Sequence, residues 1–264
     1  MPVSAPTRHY TPVTFGQMHY REAGAGFPLL LLHKTPSSSV MYERSLPIFA
    51  EHFRTIALDT PGFGMSDPML EQPSMEDYGA SIASFMDSVG LERAHVIGHH
   101  TGASIALEFA AKFPDRVDRL GFCGILALET EQDKEPWRDY IIRYELDSHG
   151  DFLPTYPLHF LHEWLTKDDP EQFLEELVAY LQPGPTYTHA YDAVVGHEPF
   201  TLLPELPHQT LFLNPEGNRC YEQTVRAAQV TPTAVYREIP GGSEVAMDAP
   251  ATFASPIIDF LSAP

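Results

Sequence analysis

AHVIGHHTGASIALEFAA, residues 94–111, is the stretch whose reading decides the fold. Ala94–Ile97 is short and apolar apart from His95, which fits a buried parallel strand. From Thr101 to Phe113 the chain is rich in Ala, Leu and Glu and stops at Pro114, which fits a helix. Between them Gly98 and Gly102 bracket His100. A turn this abrupt, with glycine on either side, lifts one side chain above the sheet edge. That side chain is His100, and what an imidazole does there is the central question the sequence poses.

Working outward, strands are predicted at 11–15 and 17–23, joined near Gly16, and at 29–32, 53–58, 116–123, 210–213 and 234–239. A helix is predicted from Ser74, which forms an S-x-x-D capping pattern with Asp77. Its apolar face carries Ile82, Phe85, Met86 and Val89, and Gly90 closes it. Helices at 221–229 and 250–261 complete the alternation. Strands alternating with helices imply a mostly parallel sheet covered on both faces. Ligands of such sheets sit beyond the carboxyl ends of the strands. His33, Asp59, His100, Gly124, Asn214 and Gly241 fall at those ends. From 125 to 206 aromatics, prolines and acids become frequent, with helices predicted at 136–146, 157–165 and 170–181. This reads as a helical lid, 125–206, set into a core of 1–124 and 207–264.

Composition bounds the rest. The chain has 264 residues, 43% of them hydrophobic, ample for a packed core. Its formal charge of −20 repels nucleic-acid backbones and anionic lipid. No apolar run is long enough to span a membrane, and residues 1–13 lack a signal-peptide core. The expectation is a cytoplasmic protein acting on a small molecule, with neither nucleic acid nor membrane as partner and no cofactor. Cys123 and Cys220 have no spacing that suggests a disulfide framework or a zinc site.

Five motifs occur in one order: Leu29-Leu-Leu-Leu-His33, Asp59-Thr-Pro-Gly-Phe-Gly-Met-Ser-Asp67, Gly98-His-His-Thr-Gly102, Phe113-Pro-Asp-Arg-Val117 and Ile239-Pro-Gly-Gly. Through them the chain resembles the α/β-hydrolase superfamily over nearly its whole length outside the 125–206 segment. The resemblance implies a mostly parallel central sheet flanked by helices, with a helical lid insertion. It also implies a serine nucleophile, an acid and a histidine at three positions, and none matches. His100 stands at the elbow, Asn218 at the acid position, and Ser243-Glu244 at the histidine position. No histidine follows His208, and the oxyanion loop reads His33-Lys34-Thr35-Pro36 without the usual glycine.

A Ser-His-Asp mechanism is therefore not expected, because it needs all three groups within hydrogen-bond reach. Three readings remain. In the first, His100 is a general base or nucleophile oriented by Glu244, or failing that Asp248. The backbone N–H groups of Thr101 and Lys34, or Thr35, then serve as oxyanion donors. His33, Thr35, Asn218 and Ser243 line the substrate pocket, with Asn218 holding substrate or Glu244. The chemistry is ester or lactone hydrolysis, or C–C cleavage or elimination through an enolate, on a small, moderately apolar carbonyl compound. In the second, the protein binds a small molecule without chemistry. In the third, His33, His100 and Glu244 bind a metal, a ligand set of plausible type but without local ligand spacing.

Overall fold

The computed structural model describes residues 5–152 and 169–263. Eight strands form one sheet: β1 Thr7–Val13, β2 Gly16–Ala23, β3 Pro28–Leu32, β4 Arg54–Leu58, β5 Ala94–His99, β6 Val117–Cys123, β7 Thr210–Gly217 and β8 Ala234–Gly242. Their spatial order is β1-β2-β4-β3-β5-β6-β7-β8. β1 and β2 form an antiparallel hairpin, and β2 pairs antiparallel with β4. Every other pairing is parallel.

The central strands are apolar on both faces because both are covered. Leu30 and Leu32 enter one hydrophobic layer, with Ile82, Phe85 and Met86 of α1 (Met75–Ser88) and Ile105 and Phe109 of α2 (Thr101–Lys112). Leu29 and Leu31 enter the opposite layer, with Phe49 and with Phe253 and Ile257 of the last helix, Pro250–Ser262. Each such Leu, Ile or Phe stabilises the fold by roughly 1.5–3 kcal/mol when fully buried. The capping box at Ser74 and Asp77 has both of its hydrogen bonds, which fixes where α1 starts.

Several boundaries differ from the sequence reading. β1 starts at Thr7 instead of Thr11, because its first half is exposed and shows no apolar alternation. β7 and β8 run on to Gly217 and Gly242, so Asn214 and Gly241 lie within strands. Parallel pairing through Asn214↔Glu238 and Pro215↔Ile239 carries these polar residues. The helix expected at 136–146 is instead α3, Glu131–Tyr140, because a capping box at Thr130 and Asp133 starts it earlier. Pro170–Leu181 is helical as read, and is labelled α4. A further helix, α5 (Tyr187–Gly196), went unread in the sequence. The helix expected at 157–165 lies outside the described residues. Among the described residues, no helix is long and apolar enough to cross a membrane.

Candidate active site

His100 sits between β5 and α2 with φ 47° and ψ −110°. Among the described residues it is the one non-glycine with positive φ. Such a conformation costs on the order of 1–3 kcal/mol and persists where the surroundings over-determine it. Here they do. The backbone N–H of His100 donates to Cys123 O (3.0 Å), and its carbonyl accepts from Ala103 N (2.9 Å) in the first helical turn. The flanking glycines are required by close approach. A Cβ on Gly98 would lie 2.1 Å from Gly102 O, and one on Gly102 would lie 2.1 Å from Leu32 O.

The side chain's protonation follows from its neighbours. His100 Nε2 lies 3.0 Å from Asn218 Oδ1. That oxygen also accepts from the backbone N–H of Cys220 (3.0 Å), a group that can only donate. The oxygen identity of this atom is therefore fixed, and Nε2 must carry the hydrogen. Asn218 Nδ2 turns away and donates to Asn214 Oδ1 (3.2 Å). The lone pair of His100 is left on Nδ1, which has no hydrogen-bond partner among the described residues. Burial, and then the Lys34 charge, push the imidazole down to about 3, so it is neutral at ordinary pH. His99 points elsewhere, with Nε2 bonded to Ser243 O (2.8 Å).

Glu244 does not meet His100. It forms a buried ion pair with the Lys34 ammonium, which also donates to Tyr180 Oη (3.3 Å). This corrects the expected His100–Glu244 dyad. A buried ammonium needs a carboxylate more than a neutral imidazole does. Burial works to lower the lysine, but Glu244 outweighs it and holds Lys34 charged, above its ordinary value. Asp248, the alternative partner, accepts from Gln172 Nε2 (3.1 Å). Lys34, expected as a backbone donor and as an optional partner of Glu244, also brings its side chain into the site.

The metal reading is also corrected. His33 Nε2 accepts from the Thr60 backbone N–H (3.0 Å), so its hydrogen is on Nδ1, which donates to Lys34 O (2.6 Å). Both nitrogens of His33 are occupied in bracing two loops. Among the described residues, the one group spaced to hold a metal is the exposed Asp147, His149 and Asp151, which includes none of the predicted ligands.

A cavity of about 30 Å³, room for one or two waters, lies over His100. Lys34, Thr35, His100, Thr101 and Glu244 line it from the core side. His33, Asn218 and Ser243 stand outside this lining. Ser243 Oγ accepts from Arg219 N (3.1 Å) and donates to Asn218 Oδ1 (3.5 Å), the oxygen that faces His100. The lining also includes Trp137, Tyr140, Tyr180, Tyr191 and Arg219, which sequence reasoning did not single out. The aromatic enrichment of 125–206 was the available signal, but it could not say which rings turn inward. Tyr191 Oη donates to Thr35 O (2.6 Å), and Arg219 lies over the Tyr140 ring. A larger open groove of about 760 Å³, lined by Ser74, Glu108, Asp192 and His197, contains no such elbow. The N-terminus of α2 meets the smaller cavity at Thr101.

The fold agrees with the comparisons. The family model for the alpha/beta hydrolase fold matches residues 28–142. Among relatives, a soluble epoxide hydrolase of Corynebacterium sp. (strain C12) is 34% identical over 114 residues, 43% of this chain. A 2-hydroxy-6-oxononadienedioate/2-hydroxy-6-oxononatrienedioate hydrolase of Paraburkholderia phymatum is 35% identical over 130 residues, 46% of this chain. The chain spans 40% and 45% of those two proteins' own lengths. Among solved structures, a hydrolase from Pseudomonas aeruginosa superposes with a TM-score of 0.85 at 19% identity, covering 98% of this chain and 100% of that one. The enol-lactonase from Burkholderia xenovorans LB400 gives 0.83 at 18% identity, covering 97% and 100%. The chain has the α/β-hydrolase fold.

Proposed function

We propose that this protein is an enzyme acting on a small, moderately apolar carbonyl compound, with His100 as general base or nucleophile. The helical segment 125–206 is its lid, closing over a core of 1–124 and 207–264. One observation carries the reading. A histidine is held at the elbow in a strained backbone conformation, with its Nε2–H tied to Asn218 and its Nδ1 lone pair free. The similarity to hydrolases supports the reaction class; two of these act, by name, on an oxo-dienedioate and an enol-lactone.

The chemistry follows from the charges. Nδ1 takes a proton from water or from a carbon next to the carbonyl. The imidazolium that forms is disfavoured while the site is empty, because it is buried beside Lys34. It becomes favourable once an oxyanion develops nearby, so proton transfer and oxyanion formation occur together. The backbone N–H of Thr101, at the helix N-terminus, is the proposed oxyanion donor, with Lys34 adding positive charge. Asn218 is the orienting partner and holds the imidazole in one tautomer. The lid aromatics Trp137, Tyr140, Tyr180 and Tyr191 exclude water and contact the apolar part of the substrate.

The test is turnover of a panel of esters, enol-lactones, epoxides and vinylogous diketones by the wild type and by His100→Ala. Removal of a general base lowers the rate by about 10²–10⁴. Unchanged turnover in the variant refutes the assignment, as does strong labelling of one serine by a fluorophosphonate. A second reading, a binding protein without chemistry, is favoured by the depressed basicity of His100. Saturable binding of a panel compound that is recovered unconsumed distinguishes it.

A further inference from the structure

Helix α4 is amphipathic in the wrong sense for an ordinary surface helix. Gln172, Glu176 and Tyr180, at successive i+4 positions, are buried, whereas Leu174 and Val178 are exposed. The buried stripe packs against a cluster of charge from the core. Lys34 follows β3, and Glu244 and Asp248 belong to the loop and helical turn after β8. Among the described residues, three carboxylates thus lie about one ammonium. The Lys34 ammonium is taken by Glu244 and Tyr180. The single Gln172 amide donates one hydrogen to Glu176 Oε1 (2.9 Å) and the other to Asp248 Oδ1 (3.1 Å). Glu176 is 2% exposed, and among the described residues its Oε2, sealed from solvent, has no hydrogen-bond partner.

An ionised carboxylate in that position would bury a charged oxygen without a donor, facing two further carboxylates. A proton on Oε2 removes the charge. We propose that docking of the lid helix α4 onto the core takes up one proton, carried by Glu176, so that the lid is latched in acid and loosened toward neutral pH. The inference rests on 125–206 being a lid, and is independent of what His100 does.

Among the described residues, the charged and titratable neighbours set the sign. Burial raises the Glu176 carboxyl; Gln172 and Lys34 pull it down; Glu244 and Asp248 push it up; the balance moves it from 4.5 to about 7. Tyr180, on the same helix, is itself raised to about 12 and stays neutral. The 3₁₀ turn Ser39–Tyr42 contributes Tyr42, whose hydroxyl is bonded to Leu32 O, and Arg44 beyond it pairs with half-buried Asp169 at the helix N-cap. With the lid open, Glu176 is hydrated and returns toward 4.5. The docked value is the higher one, so the proton's contribution to closure is complete below 4.5 and is lost as pH rises to about 7. The closed-to-open ratio therefore falls tenfold per pH unit across that window, roughly 300-fold in all and roughly 70-fold between pH 5 and 8.

The experiment is amide hydrogen exchange on the full chain from pH 5 to 8, corrected for intrinsic rates. Protection of the α4 amides in the wild type should fall by about the 70-fold given above, while the α2 core amides stay within a few-fold. In Glu176→Gln the α4 protection should be independent of pH. Wild-type α4 protection that is flat with pH, or an equal slope in Glu176→Gln, overturns the proposal. Should that variant fail to fold, infrared absorption of the wild type decides. A protonated carboxylic acid that titrates near pH 7 and persists in Asp169→Asn supports the proposal, and its absence at pH 6 overturns it. Failure of the His100 assignment would leave both readouts unaffected.

Discussion

Replacing Asn218 by Asp restores the acid that a histidine at a catalytic site ordinarily faces, and its effect can be worked out from the contacts. The new carboxylate would accept from His100 Nε2–H across the present 3.0 Å contact. A carboxylate that close favours the imidazolium by about 1–3 pH units. Starting from about 3, His100 in Asn218→Asp should titrate between about 4 and 6. Each unit is worth about 1.4 kcal/mol of imidazolium stabilisation. The substitution also has a cost. Asn218 Nδ2 now donates to Asn214 Oδ1, and Asn214 cannot rotate, because its own Nδ2 donates to Tyr221 O and Tyr236 Oη. Two acceptors would then face each other in a buried site, which costs about 1–3 kcal/mol of stability at neutral pH. The assay is long-range ¹H–¹⁵N NMR of labelled histidines with pH, beside urea unfolding. In the wild type the spectrum should show the Nε2–H tautomer. A folded variant whose His100 midpoint is unmoved, or a wild type protonated on Nδ1, would refute the hydrogen-bond assignment on which the proposed mechanism depends.

Three further outcomes are expected. Lys34→Met leaves Glu244 buried without its cation and should lose about 3–5 kcal/mol in urea unfolding, most of it recovered when Glu244→Gln is added. Gly98→Ala puts a Cβ 2.1 Å from backbone and should abolish folding by circular dichroism, whereas Gly196→Ala, with open space around it, should be neutral or stabilising by up to about 1 kcal/mol. Asp59 accepts from Ser39 N (2.7 Å), Met65 N (2.8 Å) and His19 Nδ1 (2.8 Å), and against the opposing effect of burial these bonds hold its carboxyl below the usual range. Its contribution is present above about pH 4 and is lost as pH falls through the depressed value, so Asp59→Asn should flatten the acid limb of the stability curve and cost about 2 kcal/mol at pH 7.

The elements that read correctly in the sequence are those whose causes are local. The β5–α2 junction follows from an apolar strand, a helix-forming run and two glycines within eighteen residues. The start of α1 follows from one side-chain cap. β1 and the ends of β7 and β8 were misjudged because their pairing is supplied by neighbouring strands and leaves no apolar signature. α3 begins before Pro136 because the capping box at Thr130 and Asp133 starts it there. At the site, His33, Lys34, His100, Asn218 and Glu244, all candidates in the sequence, lie just beyond the strand ends. Whether Glu244 pairs with His100 or with Lys34 is not decided by the sequence. Lys34 and Glu244 are 210 residues apart, and which carboxylate meets which base depends on where α4 seals the cavity.

For His100 the division is clear. Sequence alone determined that an imidazole stands at the elbow, because the backbone turn there is dictated by glycine spacing and short-range sterics. Tertiary structure decided what kind of imidazole it is. Asn218, reached across the sheet from β7, fixes its tautomer, and burial beside a lysine already paired with Glu244 keeps it neutral. Hydrogen-bond direction and desolvation are properties of packed neighbours distant in the chain, and no local pattern records them.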